Sequence, residues 1–221
     1  CPPRALLRLG SRVRSNLRPS LLMQVTCSPH RAAYCRAHRA RAPARGSSGL
    51  ARLALRGMLE SMGHILAGDI GGTKTALYLY AQDESGACRE LASARYASAE
   101  HSGLLPIVQD FLRTAGARAC VEVLCSAAFG VAGPVEQGVC KTTNLPWVIY
   151  AQHLTRSLGA PAGLINDFHA IALGIGELPA SDFEVLQQGV RAADEPIAIL
   201  GAGTGLGEVI LLPAVPYPRV I

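Results

Sequence analysis

Two stretches of this chain follow one plan. Residues 65–77 ("ILAGDIGGTKTAL") and residues 198–210 ("AILGAGTGLGEVI") each run from an apolar strand through a turn bearing glycine and threonine into a second apolar strand. They lie about 133 residues apart. Two readings fit either turn alone. It can be a plain hairpin whose glycines serve geometry. It can equally be a nest of backbone N–H groups for a phosphate, where glycine tolerates positive φ and has no Cβ in the way of the anion. Spacing excludes two common phosphate motifs. G-x-x-x-x-G-K-[ST] would need glycine where Thr73 precedes Lys74, and G-x-G-x-x-G would need glycine at Leu206. Each turn joins two strands and opens no helix, which argues against both a P-loop and a Rossmann arrangement.

Between the turns the hydrophobic pattern alternates. "HILAGD", "TALYLY" and, after the "DESG" turn, "GACRELASARY" read as three adjacent strands forming a meander. Leu104, Leu105, Val108, Phe111, Leu112 and Ala115 then fall at helical spacing, and "CVEVLCSAAFGVAG" returns to a buried strand. A short polar strand near "GVCKTTN", a helix around "AQHLTRSLG", the strand "GLIND" and the helix "FHAIALGIG" follow. This order predicts an α/β domain whose sheet is covered on both faces, with ligands beyond the carboxyl ends of the strands. Asp69, the "GVAGP" segment and Asp167 stand at such ends. The linker-like "QQGVRAADEP" precedes the second turn, so we divide the chain into a leader (1–62), a small α/β domain (63–190) and the start of a second domain (191–221).

The net charge of +5 conceals two unlike parts. The first 59 residues hold twelve arginines and no acid, whereas nine basic and sixteen acidic groups follow from Glu60 onward. The leader suits an organellar transit peptide, a translated non-coding or cloning-derived segment, or a nucleic-acid-binding arm, although such an arm usually adds aromatics or lysines. It is expected to be unstructured or transit-like. Because the chain begins at Cys1, Met23, Met58 and Met62 are candidate starts. No run of eighteen uncharged apolar residues occurs, and the expectation is a soluble cytoplasmic protein, or a plastid or mitochondrial one if the leader is a transit peptide. Neither a nucleic acid nor a membrane is expected as a partner. The seven cysteines form no C-x-x-C pair and no metal-ligand spacing, so they read as free thiols.

Four separated segments carry a more specific likeness. "DIGGTKT" is similar to the first phosphate segment of the hexokinase, actin and Hsp70 superfamily, and "GAGTGLG" resembles its second. "LINDF" and "FGVAGPVEQGVCKTTNLPW" resemble segments of the glucokinases of bacteria and photosynthetic lineages, in the family's order, over about His64 to Leu212. The resemblance implies a ribonuclease H-like, actin/hexokinase-type ATPase fold and phosphorylation of glucose by ATP to glucose 6-phosphate at the start of glycolysis. Carried over by position, Asp69 would bind Mg2+ through water, a hard carboxylate for a cation that keeps several waters. Gly71, Gly72 and Thr73 would hold phosphate from one side, and Gly203, Thr204 and Gly205 from the other. Asp167 would be the general base for the sugar hydroxyl, at a helix start that favours negative charge. Asn166 would orient the sugar, with Thr143 and Asn144 as further contacts.

Other readings stand beside these roles. Asp167 could simply cap the helix. Trp147 reads as a core aromatic rather than a stacking platform, and His169 as a packing residue. Lys74 points toward phosphate or into solvent. A non-catalytic sugar sensor of the same fold, or a kinase of another hexose such as fructose, mannose or an acylated amino sugar, is the alternative function. A homodimer is compatible with the family. In related glucokinases an "EGGH"-type segment, a further sugar-binding glutamate and the adenosine pocket come next. The expectation is therefore a C-terminally incomplete sequence that does not close a competent site by itself.

Overall fold

The structure, a computed structural model, describes residues 6–9, 63–83, 87–114, 124–190, 195–202, 206–213 and 219–221. In chain order the elements are β1 (Leu6–Leu9), β2 (Gly63–Ile70), β3 (Lys74–Gln82), β4 (Cys88–Ala97), α1 (Leu104–Thr114), β5 (Leu124–Val131), β6 (Val135–Glu136), β7 (Val139–Lys141), β8 (Val148–Tyr150), α2 (Ala151–Leu158), β9 (Ala162–Asn166), α3 (Asp167–Gly174), β10 (Phe183–Gln187), β11 (Ile197–Ala202), β12 (Leu206–Leu212) and β13 (Arg219–Val220). The central sheet has the order β4-β3-β2-β5-β9. β4, β3 and β2 form the expected antiparallel meander, whereas β5 and β9 run parallel to β2. β2 lies in the middle, and its residues from His64 to Gly68 are all buried, as suits a strand covered on both faces.

Successive side chains of a strand point to opposite faces, and the helices divide accordingly. Leu66 and Ile70 of β2, Leu77 and Leu79 of β3, and Phe129 and Val131 of β5 share the larger core with α1 and α2. Leu104, Ile107, Val108, Phe111 and Leu112 place a buried stripe of α1 there. At about 1.5–3 kcal/mol for each fully buried large side chain, that stripe outweighs the marginal stability of an isolated helix of this length. Gly159, with φ 64°, ends α2 in the left-handed conformation that glycine adopts cheaply. On the opposite face Ala67 and Ala128 meet Ala170 of α3. Beyond the helices, the outer strand β4 has one face toward the larger core, through Ala92, Ala94 and Tyr96, and its alternate residues are exposed.

α3 also packs on a second sheet. Ala172 contacts the cluster of Ile199, Val209 and Leu211, joined by Phe168 and Ile175, from the sheet ordered β11-β12-β13. A helix between two sheets has little solvent-facing surface to keep polar, which accounts for the mostly apolar composition of "FHAIALGIG". A small antiparallel sheet, β6-β7-β8, occupies the region where the sequence suggested one polar strand. Its outer members are two and three residues long, too short to show a period of two. Of the leader, residues 6–9 are described. Leu6–Leu9 pairs antiparallel with β10, because a four-residue strand needs only backbone groups and a free edge to add to a sheet. No described helix is long and apolar enough to cross a membrane.

The turn from β2 to β3 is fastened from behind. The Ser98 N–H donates to Thr73 O at 3.0 Å, and the Ser98 hydroxyl donates to Gly71 O at 2.9 Å. Ser98 Oγ also lies 3.0 Å from Thr75 Oγ1. A serine hydroxyl has one proton, so the Thr75 hydroxyl is the donor in that pair. The relay runs from Thr75 through Ser98 to the Gly71 carbonyl, and both side chains are buried. Replacing Ser98 with alanine leaves a carbonyl and a hydroxyl unsatisfied in a dry position. Ser98→Ala is expected to cost about 1–3 kcal/mol in denaturant unfolding; a loss below about 0.5 kcal/mol would show that water replaces the relay.

Candidate active site

Parallel pairing puts three strand ends in one row. Ile70 is level with Val131, and Val131 with Asn166. The chain therefore leaves the sheet at the same edge as the turn 71–73, as the segment 132–134 and as the start of α3. At the usual strand spacing of about 4.8 Å the row spans roughly 10 Å. One row earlier Asp69 is level with Gly130, and Gly130 with Ile165. Asp69 follows Ala67 by two residues and so lies, half-buried, on the face that carries α3.

Hydrogen bonds and close packing join these ends. The Ala132 N–H donates to Ile70 O at 3.0 Å, and the Asn166 amide donates through Nδ2 to Gly133 O at 3.1 Å. The Thr143 hydroxyl reaches Ala132 O at 3.4 Å. A Cβ at Gly72 would lie 2.6 Å from Asn144 Cβ, and one at Gly133 would lie 3.1 Å from Lys141 O. Both glycines are needed where backbone and neighbour approach this closely. Gly71, Gly72, Thr73, Thr143, Asn144, Asn166 and Asp167 thus line one edge, with Asp69 at its base. Thr73, Thr143 and Asn144 are exposed. Gly203, Thr204 and Gly205 lie outside the described residues, although the hairpin that carries them is present as paired β11 and β12.

Two neighbouring side chains divide the work at the start of α3. Asn166 Oδ1 accepts from the N–H groups of Phe168 at 2.9 Å and His169 at 3.1 Å, so Asn166 is the N-cap. The capping role considered for Asp167 belongs to its neighbour. Asp167 is the first residue inside the helix, half-buried, and its Oδ1 accepts from the Phe168 N–H at 2.9 Å. One amide hydrogen of Asn166 lies outside these bonds. Behind the pair, burial pushes the Cys140 thiol up from its ordinary value, and the Asp167 carboxylate adds to the shift. Cys140 is held as a neutral thiol beside the site. Among the described residues Cys88, Cys125 and Cys140 form no disulfide, and the other four cysteines lie outside them.

Three expectations need correction or completion. Among the described residues the glycines with positive φ are Gly133, Gly138 and Gly159, so Gly71 and Gly72 serve space rather than handedness. His169 is exposed; the packing positions of α3 go to Ala170 and Ala172. Lys74 is exposed at the start of β3, with its carbonyl accepting from the Gly71 N–H at 2.9 Å. Trp147 is buried in the core as expected, its indole N–H donating to His101 O at 3.1 Å. Ser98 and Phe168 escaped the sequence reading. Nothing local marks Ser98, 27 residues from the carbonyl it holds. Phe168 could be singled out only by knowing what α3 packs against. Among the described residues no group of three or more His, Cys, Asp and Glu side chains is arranged to hold a metal ion.

The sequence model of the glucokinase family matches residues 66–220. A glucokinase of Nostoc punctiforme is 42% identical over 149 residues, covering 67% of this chain and 42% of that protein. A glucokinase of Synechocystis sp. is 41% identical over 156 residues, covering 68% of this chain and 44% of that one. The chain thus spans less than half the length of these relatives. The crystal structure of a glucokinase from an Antarctic psychrotroph superimposes with a TM-score of 0.61 at 27% identity, over 72% of this chain and 49% of that chain. The mixed sheet and its helices are the α/β fold of the actin/hexokinase-type ATPases. Fold, motif order and the extent of the match agree, and the chain belongs to the glucokinase family.

Proposed function

We propose that this chain carries the phosphate-binding and proton-accepting part of an ATP-dependent kinase that converts glucose to glucose 6-phosphate. The convergence of the ends of β2, β5 and β9 on one edge carries the reading. Family membership supports the reaction class, and the names of the relatives support glucose as acceptor. Phosphoryl transfer asks for positioning, charge neutralisation and a proton acceptor, with little covalent work by the protein.

The edge offers each part. The N–H groups of Gly72 and Thr73 have no backbone partner among the described residues, while the carbonyls of Gly71 and Thr73 are turned toward Ser98. That arrangement suits phosphate oxygens on the solvent side of the turn. Gly203, Thr204 and Gly205 contribute from the second hairpin. A Mg2+ that keeps most of its waters and leans on phosphate oxygens needs one or two carboxylates rather than a cage, and Asp69 fits as that carboxylate. When bound, the ion would neutralise charge on the transferred phosphate. Asp167 takes the proton of the attacking sugar hydroxyl. Asn166 holds the start of α3 in place and has an amide hydrogen left for a sugar hydroxyl. Thr143 and Asn144 flank that position. The acidic balance after residue 59 argues against a nucleic-acid partner for this part of the chain. The domain boundary is placed near residue 190, with α3 packed between the two sheets.

Two substitutions in the full-length gene product test these assignments by glucose-dependent ADP release. Asp167→Asn is expected to lower kcat about 10²–10⁴-fold while glucose affinity, measured by calorimetry, stays within about threefold. Full turnover in this variant would remove Asp167 as the base, and glucose binding without ADP release by the wild type would favour a sugar sensor. Gly72→Ala pushes a Cβ into Asn144 and is expected to lower kcat/KM at least about tenfold. Unchanged kinetics would show that the close approach is dispensable.

A further inference from the structure

Phe168 stands between the residue assigned as base and the second glycine hairpin. Its backbone N–H donates to both Asp167 Oδ1 and Asn166 Oδ1, each at 2.9 Å. Its ring lies on β11 and β12 at Gly201 and Gly207, which are cross-strand partners. A Cβ at Gly201 would come within 2.4 Å of the ring Cε2 and 2.8 Å of Cζ. At Gly207 the Cβ would lie 3.1 Å from Cδ2 and Cε2 and 3.2 Å from Cζ. Two facing glycines in adjacent strands weaken a hairpin, because glycine has no side chain to pack and loses more freedom on folding. Here they open a slot one ring wide. Neither has a positive φ among the described residues, so backbone handedness does not account for them.

We propose that Phe168 is a positioning residue that sets the second glycine hairpin in register with the Asp167 carboxylate. The backbone end of the residue fixes the carboxylate, and the ring end seats in the Gly201–Gly207 slot. A shift of β11 and β12 along α3 must either carry Phe168 with it or expel the ring. The ring thereby fixes the distance between the hairpin and the proton acceptor, on a contact that Ala172 and Ile175 share. In a reaction that depends on aligning a phosphate with an attacking hydroxyl, a misplacement of about 1 Å can cost about 10²-fold in rate. This inference rests on the phosphoryl-transfer reading for its consequence in catalysis; the seating of the ring does not.

The test combines exchange and kinetics in the full-length gene product, with Gly201→Ala, Phe168→Leu and the double variant. Leucine lacks the ring tip that faces Gly201. Hydrogen exchange of the β11 and β12 amides is expected to accelerate at least about tenfold in Gly201→Ala and to return toward the wild-type rate when Phe168→Leu is added. Strictly additive effects would overturn the slot. In Phe168→Leu alone, kcat is expected to fall about tenfold or more while the KM for glucose stays within about threefold. An unchanged kcat would overturn the positioning role and leave the ring with packing alone. If the wild type forms no sugar phosphate, the phosphoryl-transfer reading fails, and the additivity of the exchange rates still decides whether the ring occupies the slot.

Discussion

Parallel pairing of β2 with β5, and of β5 with β9, is the constraint on which the other features rest. Because Ile70, Val131 and Asn166 are level, segments far apart in sequence leave the sheet side by side. Had β5 run antiparallel, "GVAGP" would have emerged at the opposite edge, and Gly133 could not have met Asn166. The hairpin arrangement of β2, β3 and β4 serves a different purpose, since it returns Ser98 to the base of the first turn.

The edge is fixed by a few short polar links rather than by apolar contact. Asn166 uses its oxygen to begin α3 and its nitrogen to hold the Gly133 carbonyl. Ser98 holds two carbonyls of the first turn, and Thr75 supplies its hydroxyl from beneath. Turning carbonyls inward leaves N–H groups outward, which is the polarity an anion requires. α3 then joins this edge to the second hairpin, through Ala170 on the central sheet and through Phe168 and Ala172 on the other.

Much of this was legible from residues alone. Hydrophobic period placed the meander, α1, α2 and β9 within a few residues, and the rule that ligands sit beyond strand ends singled out Asp69, "GVAGP" and Asp167 before any register was known. What stayed hidden depends on contacts between distant residues. The strands β6 and β8 are too short for a pattern, and the two-residue turn at Gln137 and Gly138 is visible only as positive φ, 49° and 77°. The division of labour between Asn166 and Asp167 turns on which side chain accepts the helix N–H groups, and either residue type can do so. Of the two grounds the sequence offers for the glycines at 71 and 72, backbone handedness and room for an anion, neither names Asn144, whose proximity Gly72 answers to. His169 was given a packing role that its position on α3 does not allow.

The central claim is that one sheet edge assembles a phosphoryl-transfer site around Asp167. A crystal structure of the full-length gene product with glucose and a non-hydrolysable ATP analogue tests it most directly. The account predicts the sugar 6-hydroxyl within about 2.6–3.2 Å of an Asp167 carboxylate oxygen, with the terminal phosphate against the 71–73 turn. Sugar seated away from Asp167, or phosphate held elsewhere than at that turn, would contradict it.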